Sequence, residues 1–324
     1  MTKQDITRGL IEFAVNQCLN TMKEDPHRSI RRLADLGRQF AKGRFQERLF
    51  SLFQTLLTHE DSPYYDMIAR LLSQADSARL KQFCINVGYN AWTVGAAKIR
   101  AEASANAAAP DGGCRTTGVC WLSGLDFPTD ADEADRLCAR IRQQRESGVY
   151  AYRLSLHPGR RFAGAAFFSA LKDFSDCAFL LDFTGLAKEE PTAAEDEQLR
   201  TLLSAALTCR NLLLLLPFGP EWSLQLAGLI LEKKGLFAVS CSYQDADVPQ
   251  LLSPENIDVL SSWGSPLLIF SADKDCSAKG REAAGQAILD ARLAQRYPDL
   301  LVDWENDIAR IQSIITSSRP EQKG

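Results

Sequence analysis

The chain has 324 residues, of which 45% are hydrophobic and 24% charged, with 37 basic side chains set against 41 acidic ones. That is the composition of an ordinary globular protein with a sizeable core, and a net charge of −4 excludes an overall electrostatic pull toward nucleic acid or an anionic membrane. The longest run of one apolar residue, "LLLLL" at 212–216, is strand length and far below the ~18 residues that cross a bilayer.

The opening segment, "MTKQDITRGLIEFAVNQ", has charges interrupting its apolar positions and does not read as a signal peptide. The expected location is therefore cytoplasmic, where the nine cysteines would be thiols. Residues 1–100 read as helices: Ile6, Leu10, Phe13 and Ala14, then Ile30, Leu33 and Phe40, then Phe45, Leu49, Leu52, Phe53 and Leu56 recur at helical spacing. Pro26 and Pro63 place turns between them, and the basic cluster "HRSIRR" at 27–32 reads as a solvated helix face. The segment "FCINVGYNAW" at 83–92 fits a helix or a strand. Residues 101–117 change character and read as a helix end running into a loop or linker, because "AEASANAAAPDGG" offers no bulky apolar anchors.

From 118 to the end at 324 the pattern alternates. Short apolar runs at 118–125, 149–156, 177–184, 211–217, 236–243, 266–272 and 299–303 are separated by amphipathic segments at 131–147, 162–174, 195–208, 221–234, 253–262 and 279–296. Apolar strands spaced by helices predict a parallel sheet covered by its crossovers, an α/β fold of the partial β/α barrel type. In such folds functional groups gather at the carboxyl ends of strands. Those positions hold His157 with Arg160, Asp182, Ser242 with Tyr243, Asp273, and Asp303 with Trp304. Of these, His157, Arg160, Asp182, Tyr243, Asp273, Asp303 and Trp304 are the candidate ligand-binding residues at the barrel mouth.

No familiar chemistry assembles from spacing. Zinc sites pair close Cys or His ligands with a second such pair, whereas Cys114 and Cys120 stand six positions apart with no matching pair, and His27, His59 and His157 are scattered. No G-x-S-x-G elbow, P-loop or strand-borne G-x-G-x-x-G occurs. "PFGPEW" at 217–222 is either a helix start poised for an anion or a plain strand-to-helix turn. His157, in "SLHPGRR", is either functional or part of a polar turn.

Several phrases, taken in order, resemble one branch of the radical S-adenosylmethionine (radical SAM) enzymes. "INVGYNAWTVGAAKIR" at 85–100 is similar to the segment before their barrel, and "CW" at 120–121 to the end of their cluster motif. "ESGVYAYRLSLHP" at 146–158 resembles their second strand and the turn after it. "EKKGLFAVSCSY" at 232–243, "LLSPENIDVLSSWGS" at 251–265 and "LLVDWEND" at 300–307 resemble the fifth strand, the helix after it and a late strand. The resemblance implies a partial (β/α)6-type barrel of the radical SAM kind, C-terminally truncated, over 118–324, behind an all-helical domain over 1–100.

The chain departs from that family where its chemistry resides. Three thiolates spaced C-x3-C-x2-C hold the family's [4Fe–4S] cluster, and this chain offers Cys114 and Cys120, a vestigial cluster region. The family's Gly-Gly-Glu-Pro-like turn is replaced by Ser155, Leu156, His157 and Pro158. The sequence-based expectation is a pseudoenzyme without catalytic residues, metal or cofactor, which binds an active radical SAM enzyme, a peptide or a small-molecule ligand, and neither nucleic acid nor membrane. Two alternatives stand beside it. One is an iron-free enzyme using His157, Asp182, Tyr243 and Asp303 for acid–base work, which requires those four side chains to converge. The other is a structural scaffold.

Overall fold

A computed structural model describes residues 12, 13, 16, 25, 27–32, 35, 57, 62–107, 120–159, 162–187 and 191–317. The helical periodicities at 6–14 and 33–56 therefore fall almost wholly outside the described residues. Helix α1 (Pro63–Gln74) starts on a proline, whose missing N–H costs nothing in a first turn. Helix α2 (Ser77–Ile85) is capped by Asp76, which accepts from the Arg79 amide. The ambiguous segment 83–92 is helical: α2 passes through a π-helical stretch, Asn86–Gly95, into α3 (Ala96–Ala107). Helix thus continues into the first residues of the expected linker.

The sheet has seven strands: β1 (Leu122–Asp126), β2 (Ala151–Ser155), β3 (Ala178–Asp182), β4 (Leu212–Pro217), β5 (Phe237–Tyr243), β6 (Leu267–Ala272) and β7 (Leu300–Asp303). Each lies within or across one of the seven apolar runs read from the sequence. The crossovers are α4 (Ala131–Glu146), α5 (Ala165–Leu171), α6 (Ala193–Ala206), α7 (Glu221–Glu232), α8 (Pro254–Ser261) and α9 (Ala278–Leu293), and α10 (Trp304–Ser317) follows β7. Their starts carry their own signals. Asp130, Ser253 and Ser277 cap α4, α8 and α9, and Thr192 with Glu195 forms a capping box on α6.

All six strand pairings are parallel and the spatial order follows the chain, β1 to β7. An order that never reverses winds every crossover in one sense, which curls the sheet into a partial barrel. Among the described residues no ladder joins β7 to β1. Helix α10 bridges that seam instead: the Trp121 amide, just before β1, donates to Gln312 Oε1 at 2.9 Å, and Trp121 Nε1 to the Ile308 carbonyl at 3.4 Å.

Register divides each strand into two faces. Phe179, Leu181, Leu212, Leu214, Leu216, Val239, Leu268, Phe270 and Leu301 pack beneath the crossovers in the main core. The alternate residues Leu180, Leu213, Leu215, Ala238, Ile269 and Val302 line the concave face, and α1 and α2 cover them with Leu71, Leu72, Ala75, Leu80 and Phe83. The helices thus plug the lower interior of the curl. Burying apolar surface on both faces suits strands with continuous apolar sequence.

Asn86 locks this arrangement. Fully buried, it donates through Nδ2 to the Ser175 and Cys177 carbonyls at 2.9 and 2.6 Å and accepts from Gln82 and Asn90. Two glycines permit the close approach: a Cβ on Gly95 would lie 2.2 Å from the Gly148 carbonyl oxygen, and Gly148 itself has φ +102°. No described helix is long and apolar enough to cross a membrane.

Candidate functional site

Above the apolar plug, toward the carboxyl ends of the strands, the concave face turns polar. The register Gly124↔Arg153↔Leu180 and Asp126↔Ser155↔Asp182 places Arg153, Ser155, Asp126 and Asp182 on the same inward side. The register Ser240↔Ile269 and Ser242↔Ser271 does the same for the serines of β5 and β6.

The centre of this layer is Arg153. Its Nε and Nη2 converge on Asp182 Oδ2 at 2.6 and 2.5 Å, and Asp182 Oδ1 accepts the Thr184 amide at 2.8 Å. The guanidinium also lies over the indole of Trp304, 4.8 Å from its centroid, a cation–π contact between β2 and the first residue of α10. Asp182 is buried, with 2% of its side chain exposed, whereas Arg153 retains 27%. The carboxylate lies beneath, and the guanidinium lies at the solvent boundary. Arg153 Nη1 has no acceptor among the described residues, so the guanidinium, 27% exposed, keeps an edge that none of them engages. On the neighbouring strand Gly124 is exposed, and a Cβ there would meet nothing within 4 Å. Glu305 completes the rim, accepting from the Ser271 hydroxyl at 2.9 Å and the Ala272 amide at 3.3 Å.

The residues singled out from sequence separate into two groups. Asp182 and Trp304 stand together on the concave side, joined through Arg153. His157 pairs with Asp126 at 2.9 Å on the exposed rim, where a solvated ion pair contributes about 0–1 kcal/mol. Asp273 accepts from Gln244 at 3.1 Å on the loop after β6. Tyr243 and Asp303 face the other way: register aligns Tyr243 with Val239 and Asp303 with Phe270 on the outward side. There Asp303 accepts from the Asn306 amide and side chain at 3.2 and 2.7 Å, against α9. Burial first, then the charges of Asp303 and Glu305, push the Tyr243 hydroxyl above its ordinary range. His157, Asp182, Tyr243 and Asp303 consequently do not share one wall. Arg160 and Cys114 lie outside the described residues.

Arg153 was not singled out from its strand end, but "VYAYRLSL" does contain the signal. A single charged residue inside an apolar strand is rarely buried without a partner.

Among the described residues, the loop after β1 offers no thiol to an iron–sulfur cluster. A cluster loop of the kind the resemblance implies follows the first strand, and here β1 runs into Phe127, Pro128, Thr129 and Asp130, which carry no sulfur. Cys120 lies at the opposite, amino end of β1. No group of three or more His, Cys, Asp or Glu side chains among the described residues is placed to hold a metal ion.

Fold and site together define an α/β protein built on an open, parallel, partial barrel, with a helical plug below and a polar concave mouth above. No protein-family model matches the chain, and no curated protein matches it in sequence.

Proposed function

We propose that this protein is a radical-SAM-like pseudoenzyme, a non-catalytic partial barrel that binds a small polar ligand, or a side chain of a partner, at its mouth. The observation that carries the reading is the Arg153–Asp182–Trp304 cluster. It holds a guanidinium with a free edge at the solvent boundary of a concave face that is open over Gly124. Holding an arginine there requires desolvating part of it, and a buried carboxylate and an indole offset that penalty. An interior serving packing alone would be met by aliphatic residues such as those of the lower layer.

The radical SAM element of the proposal rests on the family-like phrases and on a sequence without C-x3-C-x2-C. It draws support from the absence of sulfur in the loop after β1. The separation of Tyr243 and Asp303 from Asp182 speaks against the iron-free acid–base enzyme.

Two measurements test the proposal. Anaerobic iron–sulfide reconstitution followed by addition of S-adenosylmethionine should give no stoichiometric [4Fe–4S] absorption and no 5′-deoxyadenosine; formation of both overturns the pseudoenzyme reading. Native mass spectrometry of protein purified from its own cells should reveal a bound species that is lost in Arg153→Ala. A species that survives in the variant, or a wild-type protein carrying none, overturns the mouth as the binding site.

A further inference from the structure

Helix α7 is more apolar than its packing on the sheet uses. Trp222, Leu226, Ala227 and Ile230 are buried beneath it. On the opposite side Glu221, Leu224, Gln225, Gly228 and Glu232 are exposed, recurring every three or four residues as one helical face. Leu224 is 47% exposed, and Leu231 is half-buried beside the same face. Between the acid at each end this face carries no charge, and its amide, Gln225, is already held by Arg200 of α6 at 2.8 Å.

Gly228 stands at the middle of that face, where its own chain has no use for a glycine. Glycine inside a helix lowers its stability relative to alanine, so a reason for it is expected. Gly285, midway along α9, has one: a Cβ there would stand 2.6 Å from Asn306 Nδ2 and 2.7 Å from Asp303 Oδ2. A Cβ on Gly228 would meet nothing within 4 Å, and its φ is not in the left-handed region. Close approach of a backbone from outside the chain is what remains to require it.

The charges on α7 select the occupant. Glu221 opens the helix, and Lys233 and Lys234 follow its last residue, Glu232. The side chains of Glu221 and the two lysines are exposed, and none makes a hydrogen bond or ion pair among the described residues. A helix that is acidic at its start and basic just past its end is complementary to a copy of itself run antiparallel, which is the arrangement a two-fold axis produces. An axis at the level of Gly228 sets that glycine opposite its own copy. It brings Leu224 level with Leu231 and Glu232 of the second copy, and Glu221 level with Lys234 of the second copy. In each case the two residues lie at the same distance from the axis to within one residue, about 1.5 Å of helix.

We propose that the outer face of α7 docks a second copy of this chain, the two helices crossing antiparallel at Gly228. The interface lies on the outer layer of the barrel and is independent of the Arg153 site.

Sedimentation equilibrium of the full chain over about 1–500 μM tests this, a range set by one helix face falling short of the ~800 Å² per partner of a standard interface. A reversible monomer–dimer equilibrium is expected. Leu224→Lys should weaken it tenfold or more, because two ammonium groups take the place of two leucines at the contact. Gly228→Leu should separate the two roles of that position: the free chain has room for the side chain and should melt at or above the wild-type temperature, while dimerisation weakens tenfold or more. Glu221→Lys and Lys234→Glu should each weaken the dimer roughly three- to tenfold, since rim pairs are weak but each counts twice about the axis. Combining them should restore the wild-type constant, and Arg153→Ala should leave it unchanged. A chain that stays monomeric throughout overturns the second copy as occupant in favour of an unlike partner. A dimer indifferent to Leu224→Lys or to Gly228→Leu, or a combined charge variant no tighter than the single ones, also overturns the proposal.

Discussion

Arg153 and Asp182 form one ion pair but are buried to different depths, so removing one or the other should have unequal effects. Arg153→Met keeps most of the aliphatic volume and leaves Asp182, with 2% exposure, facing only the Thr184 amide. Stranding one member of a buried pair typically costs ~3–5 kcal/mol, and the retained Thr184 bond argues for the lower end, about 3 kcal/mol. Asp182→Asn strands Arg153 instead. That guanidinium is 27% exposed, can turn its Nε and Nη2 into water, and keeps its contact with Trp304. Solvent screening reduces the loss to about 1–2 kcal/mol. With a urea m-value of about 3 kcal/mol/M, the midpoint should fall by about 1 M in Arg153→Met and by about half of that in Asp182→Asn. Equilibrium unfolding followed by far-UV circular dichroism, with m-values checked for constancy, measures both. A larger loss in Asp182→Asn than in Arg153→Met, or two wild-type midpoints, would refute the assignment of the carboxylate as the buried member beneath an exposed-edge guanidinium.

Other consequences follow from particular contacts. Asn86→Ala should destabilise by about 1–2 kcal/mol in urea unfolding, because it removes a fully buried, hydrogen-bonded amide while the Ser175 and Cys177 carbonyls keep Gln82 and Asn211 as donors; an unchanged midpoint would refute a contribution of this side chain to the packing of the π-helical stretch. Gly88→Ala and Gly95→Ala are the same substitution in the same π-helical stretch with opposite expected signs. At Gly88 nothing lies within 4 Å, so the substitution should stabilise by up to about 1 kcal/mol. At Gly95 the clash with the Gly148 carbonyl should cost about 1–3 kcal/mol net. Thermal melts rank them directly, and equal melting temperatures would contradict the close approach. At the outer end of β5, burial, aided by the Asp247 charge, pushes the Cys241 thiol up to about 11. Only the thiolate alkylates, so at pH 8 about 0.1% is reactive, against roughly a quarter for an ordinary thiol. Peptide mapping after iodoacetamide treatment should find Cys241 unmodified at pH 8, with its rate rising about tenfold per pH unit toward 11; complete labelling at pH 8 would show that the thiol is not held neutral.

The sequence by itself determined the local pattern. Seven apolar runs became seven strands, and the parallel partial barrel followed from their spacing. Helix starts were also legible, because caps such as Asp130, Ser253 and Ser277 act within three residues of themselves. Segment 83–92 was undecidable locally and is helical because Asn86 and Asn90 find carbonyls in the loop before β3, a tertiary partner. The site was half visible: Asp182 and Trp304 could be read from their strand ends, but Arg153, which joins them, could not. Which face a strand-end residue occupies depends on register with its neighbours, and a shift of one residue reverses it. That parity sent Asp182 inward and Tyr243 and Asp303 outward, and no spacing within a single strand encodes it. The same holds for the plug of α1 and α2: it is made by elements meeting in space, and only the tertiary structure decided where they meet.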